Sequence, residues 1–333
     1  MILIISHDSI DEPTNDVIDW LNFFKVDYLR INGDDFYLNK RFIIDYEAKT
    51  ITLGDNLINV TDVNAILFRR WISRPTSIIS EFKKNDFGVY EGYFLESFLV
   101  YIKSELTSIS TSLFSLFEDK FFVPSYKLAR GQLNKFSVLL EAERLGIRIP
   151  KSIIATSKKE ILDKAEKGSQ FITKSIKDAD FIFYNNTLID LYTKSMTIED
   201  ISNLSENFFP TLFQEKIDKQ FEIRIFYLFD KLYSMAIFSQ NDKKTSVDFR
   251  NYNREKPNRC IPFKLPMEVE KQIKMLMNRI ELNTGSIDMI YSNHDEFVFL
   301  EVNPVGQLGM VSKNCNYPIE KEIALSLIKK DKK

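Results

Sequence analysis

Two apolar runs near the C-terminus, Ile287 to Tyr291 and Phe297 to Val302, are separated only by Ser292-Asn293-His294-Asp295, and they constrain this chain more than any other stretch. A turn that short between strand-forming segments leaves them little choice but to pair as a hairpin. Side chains alternate along a strand, so in Phe299-Leu300-Glu301-Val302-Asn303-Pro304 the residues Glu301 and Asn303 emerge on one face and Val302 on the other. Asp288, in the first run, then joins them, and two carboxylates and an amide oxygen converge. Oxygen donors without thiol or imidazole suit Mg²⁺ better than zinc, and Mg²⁺ held by few protein groups usually also carries nucleotide phosphates. Taken alone, the pattern suits a solvated hairpin with ordinary surface acids better.

The 333 residues, 44% of them hydrophobic, allow two or three domains with ample core. A net charge of −2 implies no global field for nucleic acid, and no such partner is expected. Cys260 and Cys315 are the only cysteines and lie far apart in sequence, which reads as two reduced thiols in a cytosolic protein. Met1 to Ile5 is apolar but lacks a basic leader and is followed by Asp8, Asp11 and Glu12, so it reads as a first strand rather than a signal peptide. No apolar run reaches spanning length: Tyr93 to Phe117 is broken by Glu96, Lys103 and Glu105, and no membrane contact is expected.

Along the chain, residues 1–124 begin as an α/β unit, with strand Ile2–Ile5, an amphipathic helix through Val17, Ile18, Leu21 and Phe24, and strand Tyr28–Ile31. Thr50–Leu53 and Ala65–Phe68 supply further strands, and a long helix follows from about Tyr90. The expected architecture is a doubly wound α/β domain. A helix from Gln132 to Leu145, ended by Gly146, leads through Pro150 into strand Ser152–Ala155. Aromatic and β-branched residues from Phe171 to Asn185 and from Thr211 to Phe238 predict antiparallel sheet, and Glu320 to Lys329 a closing helix. The units expected are 1–124, 125–211 and 212–333.

Lys174 ends the short strand Phe171-Ile172-Thr173-Lys174, and Lys135 lies on the preceding helix, so two ammonium groups can meet a polyphosphate, although a lone lysine is more often a solvated surface residue. The apolar strand Leu212-Phe213 turns abruptly polar at Gln214-Glu215-Lys216-Ile217, an edge able to offer backbone groups to an adenine ring. In Phe221 to Phe226, strict alternation puts Glu222 and Arg224 on one face, which also reads as an exposed pair. Val247-Asp248-Phe249-Arg250 places a guanidinium after a polar loop, where its planar fork suits phosphate oxygens. Arg69 and Arg70 close another N-terminal strand and can meet an acidic peptide or simply solvent, while His7 reads better as a loop or helix-entry residue than as a base.

The order Lys135, Lys174, Gln214-Glu215-Lys216-Ile217, Glu222-Ile223-Arg224, Arg250, Asp288, Glu301-Val302-Asn303-Pro304 resembles that of the ATP-grasp ligases. The resemblance implies an ATP-grasp fold, mixed α/β and α+β, behind an N-terminal doubly wound domain. It assigns phosphate contacts to Lys135 and Lys174, adenine to the 214–217 segment, ribose to Glu222, and the transferring phosphoryl group to Arg250. Asp288, Glu301 and Asn303 would hold Mg²⁺; Arg224, sharing a strand face with Glu222 near that nucleotide, is the candidate for orienting the substrate carboxylate or its acyl phosphate. Where many relatives carry a glycine-rich flap, Ser175-Ile176-Lys177-Asp178-Ala179 has no glycine.

Ile4-Ile5-Ser6-His7-Asp8, Phe68-Arg69-Arg70-Trp71, Thr245-Ser246-Val247-Asp248-Phe249-Arg250 and Glu301 to Met310 are further similar to the graspetide synthetases of the grasp-with-spasm, microviridin-ligase-like kind. That resemblance implies ATP and Mg²⁺ as cofactors and a ribosomal precursor peptide, leader plus core, as partner. The reaction implied joins Asp or Glu side chains to Thr or Ser hydroxyls, or to Lys amines, through an acyl phosphate, making macrocyclic esters or amides. Arg69, Arg70 and Asp248 become candidates for substrate contact, and a homodimer is compatible with it. A ligase for a free amino acid, a glutamate-tailing enzyme, or a non-catalytic nucleotide-binding regulator are the competing readings.

Overall fold

The computed structural model describes residues 1–7, 11–33, 41–69, 71, 93–125, 133–166, 169–176, 182–184, 187–189, 193–240, 255 and 257–332. Strand β1 (Ile2–Ser6) is followed by helix α1 (Glu12–Phe23) and strand β2 (Tyr28–Asn32), which pairs parallel to β1. Three short strands come next: β3 (Phe42–Asp45), β4 (Thr50–Leu53) and β5 (Asn56–Asn59). Thr50–Leu53 is a strand as expected, but it lies in a separate antiparallel sheet, β3-β4-β5, and not in the parallel one. The reason is chain length: only Gly54, at φ +59°, and Asp55 separate β4 from β5, whereas a parallel crossover needs about a dozen residues. Strands β6 (Ala65–Phe68) and β7 (Phe121–Val123), with helix α2 (Tyr93–Ser115) between them, complete a parallel sheet of order β2-β1-β6-β7.

Alternation along β1 feeds two cores. Ile2 and Ile4 pack with Val17 and Leu21 of α1 and with Ala324 and Leu327 of the chain's last helix. Leu3 and Ile5 pack on the other face with Ile51, Ile58, Leu113 and Phe114. A strand buried on both faces must be apolar throughout, as Ile2–Ile5 is.

Helix α3 (Lys135–Arg144) starts where Asn134 Oδ1 accepts from the Phe136 and Ser137 amides, and it gives way to the chain reversal at Gly146, φ +72°. Then follow β8 (Ser152–Ser157), α4 (Lys158–Leu162), β9 (Phe171–Lys174), the hairpin β10 (Ile182–Tyr184) with β11 (Thr187–Ile189), β12 (Lys194–Met196), α5 (Ile198–Ser202) and β13 (Asn207–Glu215). The antiparallel order is β12-β9-β13-β8. Ala155, Met196 and Phe213 cover Ile161 of α4 and Ile201 of α5 on one face.

The last unit is β14 (Lys219–Leu228), β15 (Lys231–Phe238), β16 (Arg259–Pro262), α6 (Met267–Arg279), β17 (Thr284–Ser292), β18 (Phe297–Asn303), α7 (Leu308–Cys315) and α8 (Ile319–Asp331). Its five strands are antiparallel in the order β16-β15-β14-β17-β18. Ile223, Ile225, Tyr227, Ile287, Met289, Phe299 and Val302 face α3 and α6. On the opposite face Phe226 and Leu228 enter the core shared with β1, α1 and α8, while Glu222 and Arg224, earlier on that face, are left for polar work. Among the described residues, no helix is long and apolar enough to cross a membrane.

Candidate functional site

The predicted hairpin forms, with its turn between Ser292 and Phe297 and Asp295 at φ +60°. Asp288 stands opposite Glu301, but Met289 pairs with Phe299, so Leu300 is an extra residue in β18. Such a bulge lets consecutive side chains share a face. Leu300 and Glu301 both line the same cleft, with Phe299 and Val302 buried behind them. Asn303 returns to the cleft side and donates from Nδ2 to Glu301 Oε1 at 3.2 Å and to Asp288 Oδ2 at 3.4 Å.

Cations compete for these carboxylates. Arg224, paired with Asp288 across β14 and β17, donates Nε to Oδ1 at 2.8 Å and Nη2 to Oδ2 at 2.9 Å, the two-pronged match its planar fork permits. Lys135 Nζ donates to Glu301 Oε2 at 3.1 Å, and Lys174 Nζ stands 4.0 Å from the same oxygen. Burial works to raise the Glu301 pKa. Lys174 and Lys135, with the Asn303 amide, outweigh it and hold the carboxyl down at about 2.

This corner fits a hard cation. Two carboxylates meet one amide, which a half-turn makes an oxygen donor, and the described residues hold no cluster of three or more His, Cys, Asp or Glu that could bind metal alone. A site with so few protein donors is the kind Mg²⁺ occupies when phosphates supply the remainder.

From this corner an open cleft runs between the sheets of β13 and β14. Lys174, Gln214, Glu215, Lys216, Ile217, Glu222, Asp288 and Glu301 all line it, so residues far apart in sequence meet in one place. Lys135 and Asn303 join through Glu301, and Arg224 through Asp288.

Two participants escaped the sequence reading. Lys219 forms an ion pair with Glu222, both buried, although a spacing of three normally puts strand residues on opposite faces. A register shift between Lys219 and Phe221 makes Gln220 the extra residue and brings both side chains to the cleft, and no local signal announces it. Burial raises the Glu222 pKa against the pull of Lys219. The other is Arg148, which donates from Nη2 to both Glu215 oxygens, at 2.9 and 3.0 Å. The Arg148 carbonyl accepts from the Phe299 amide at 2.8 Å, so one residue links the end of β13 to the strand carrying Glu301.

Arg69 is buried and donates to the carbonyls of Val305 and Gly306, in the loop after Asn303. That loop has no slack, since Gly306 adopts φ +53° and a Cβ there would lie 2.4 Å from Ser286 Oγ. Arg70, Asp248 and Arg250 lie outside the described residues.

No protein-family model and no curated protein matches this sequence. Solved structures do. The macrocyclase MdnC of Microcystis aeruginosa MRC, bound with precursor peptide MdnA, is 24% identical, with 99% of this chain and 100% of that one covered at a TM-score of 0.75. A RiPP-associated ATP-grasp ligase of Chryseobacterium gregarium, in complex with ADP and a leader and core peptide, is 22% identical over 99% and 96%, with a TM-score of 0.81. The ATP-grasp ligase PsnB, complexed with minimal precursor, Mg and ADP, is 14% identical over 99% and 97%, with a TM-score of 0.76. Likeness that spans both chains end to end, over a mixed α/β architecture with an N-terminal parallel sheet, establishes that this chain has the ATP-grasp fold throughout its length.

Proposed function

We propose that this chain is an ATP- and Mg²⁺-dependent peptide macrocyclase that joins Asp or Glu side chains of a leader-bearing precursor peptide to Thr or Ser hydroxyls. The observation that carries the reading is the meeting, in one cleft, of the 214–217 strand end, Glu222, two lysines and the Asp288–Glu301–Asn303 corner. It is supported by whole-chain likeness to solved ligases bound to precursor peptides. The working units are 1–124, 125–211 and 212–333.

In this reading residues 214–217 seat the base, Glu222 the ribose, and Lys135 and Lys174 the phosphates. Both lysines already point at Glu301, so an arriving polyphosphate exchanges one anionic partner for another without baring a charge. Asp288, Glu301 and Asn303 would hold Mg²⁺, which when bound neutralises charge on the phosphates. A carboxylate is a poor electrophile at neutral pH. Its oxygen therefore attacks the γ-phosphorus of ATP and ADP leaves, and the peptide hydroxyl then attacks the acyl phosphate, releasing phosphate and forming the ester. Arg224 and Arg250 are assigned to the substrate carboxylate and the transferring phosphoryl group, and Arg69, Arg70 and Asp248 to the peptide side. Arg69 acts there through the 305–306 loop that it holds.

Mass spectrometry of the enzyme with ATP, Mg²⁺ and a candidate precursor peptide tests this. Each ring formed removes one water and yields one ADP. An unchanged peptide mass, with ADP formed only on free amino acids, contradicts it.

A further inference from the structure

Gln307 stands just before helix α7, at the position where Ser, Thr, Asp or Asn would serve as a cap, yet its side chain makes no bond to the amides of that helix. It turns instead to Arg224, whose Nη1 donates to Gln307 Oε1 at 3.3 Å and to Met310 Sδ at 3.2 Å. Nε and Nη2 of the same guanidinium are on Asp288. Four of its five hydrogens are thus committed, two to the acidic corner and two to the start of α7. Arg224 therefore acts on a substrate carboxylate chiefly through the groups that it holds.

A guanidinium only donates, so the Gln307 amide must face it with its oxygen, and the flipped amide would set N–H against N–H. Nε2 is consequently turned away from Arg224. Because Gln307 is exposed, the two hydrogens of that nitrogen are presented at the surface beside the Asp288–Glu301–Asn303 corner. The backbone beneath is held as well: Arg69 donates to the carbonyls of Val305 and Gly306, and Gly306, at φ +53°, packs against Ser286. A side chain fixed at its backbone and at its oxygen has little freedom left to lose when a ligand arrives.

We propose that Gln307 Nε2 donates to the reacting Asp or Glu carboxylate of the precursor peptide, with Arg224 fixing the amide so that a donor, never an acceptor, meets the anion. The inference rests on the macrocyclase reading and adds a substrate contact to it. A neutral donor suits the step, because it holds one carboxylate oxygen and leaves the other to attack the γ-phosphorus of ATP.

Two substitutions separate this contact from a purely supporting role. Gln307→Glu keeps an oxygen for Arg224 and replaces the donor with an anion, whereas Gln307→Met removes donor and acceptor together at similar volume. The position is exposed, so both variants should fold. With ATP, Mg²⁺ and the precursor cyclised in the mass-spectrometric test, kcat/KM for the peptide should fall roughly ten- to hundredfold in Gln307→Met, the usual loss for one hydrogen bond to a charged group, and further in Gln307→Glu. Were Gln307 only a prop for Arg224, the order would reverse. Binding in the presence of ADP and Mg²⁺ gives a second reading: wild type should prefer the precursor to a version with its reacting Asp and Glu changed to Asn and Gln, and Gln307→Glu should shrink that preference roughly tenfold or more. A Gln307→Glu enzyme at least as active as Gln307→Met overturns this inference alone, as does an undiminished preference for the acidic peptide. A wild type that cyclises no precursor overturns the proposed function and this inference with it.

Discussion

Burial by itself would make Glu301 hard to ionise, yet its carboxyl is held at about 2 because Lys174 and Lys135 converge on it and Asn303 donates to it. The folded value lies below the ordinary 4.5, so Glu301 contributes stability that is present above the unfolded pKa and is lost as pH falls toward 2. Glu222 has the opposite sign: its raised pKa contributes stability at low pH that disappears as pH rises through the folded value. Nucleotide-free Glu301→Gln should therefore lose stability less steeply than wild type between pH 4.5 and 2, as followed by chemical denaturation at each pH. Parallel curves would show that the lysines do not grip this carboxylate in solution. Arg224 calls for a different test. Lysine cannot reproduce its two-pronged hold on Asp288, the proposed Mg²⁺ ligand, so Arg224→Lys should lower ADP release roughly ten- to hundredfold, with the fold retained by circular dichroism. Full activity in the lysine variant would remove Arg224 from the site.

Among the elements, helix α3 carries Lys135 at its first position, so its start must be fixed for the lysine to reach Glu301. Asn134 does this by accepting from two first-turn amides. Asn134→Ala should cost about 1 kcal/mol in urea unfolding, and Asn134→Ser should recover most of it. If the alanine variant is as stable as wild type, the cap does not define the helix start. The elements also show where sequence reading reaches its limit. The β17–β18 hairpin was legible because apolar runs, a short polar turn and strand alternation agree, and the Gly146 stop of α3 was legible for similarly local reasons, whereas its start, expected at Gln132, lies at Lys135, after the Asn134 cap. The extra residues Gln220 and Leu300 were not legible. A bulge breaks alternation through long-range pairing, so Lys219 was hidden from a reading that counted residues two by two.

In the whole molecule, the parallel N-terminal sheet is closed by α8 from the far end of the chain, and one core runs from Ile2 and Ile4 through Phe226 and Leu228 to Leu327. Nothing local in Glu320–Lys329 says which sheet it will cover, whereas the order of lysines, strand end and acidic corner along the chain did point to one cleft. Arg69, Arg148 and Arg224 then tie the pieces together around that cleft, each bridging segments distant in sequence. The central claim is that ATP serves here to activate a peptide carboxylate. It is tested most directly with a precursor whose reacting Asp and Glu side chains carry heavy oxygen in both positions. Attack of a Thr or Ser hydroxyl on an acyl phosphate must carry one labelled oxygen away, so the products should be ADP, singly labelled inorganic phosphate and a cyclised peptide retaining the other label. Unlabelled phosphate beside a cyclised peptide, or label appearing in AMP with release of pyrophosphate, would contradict the account.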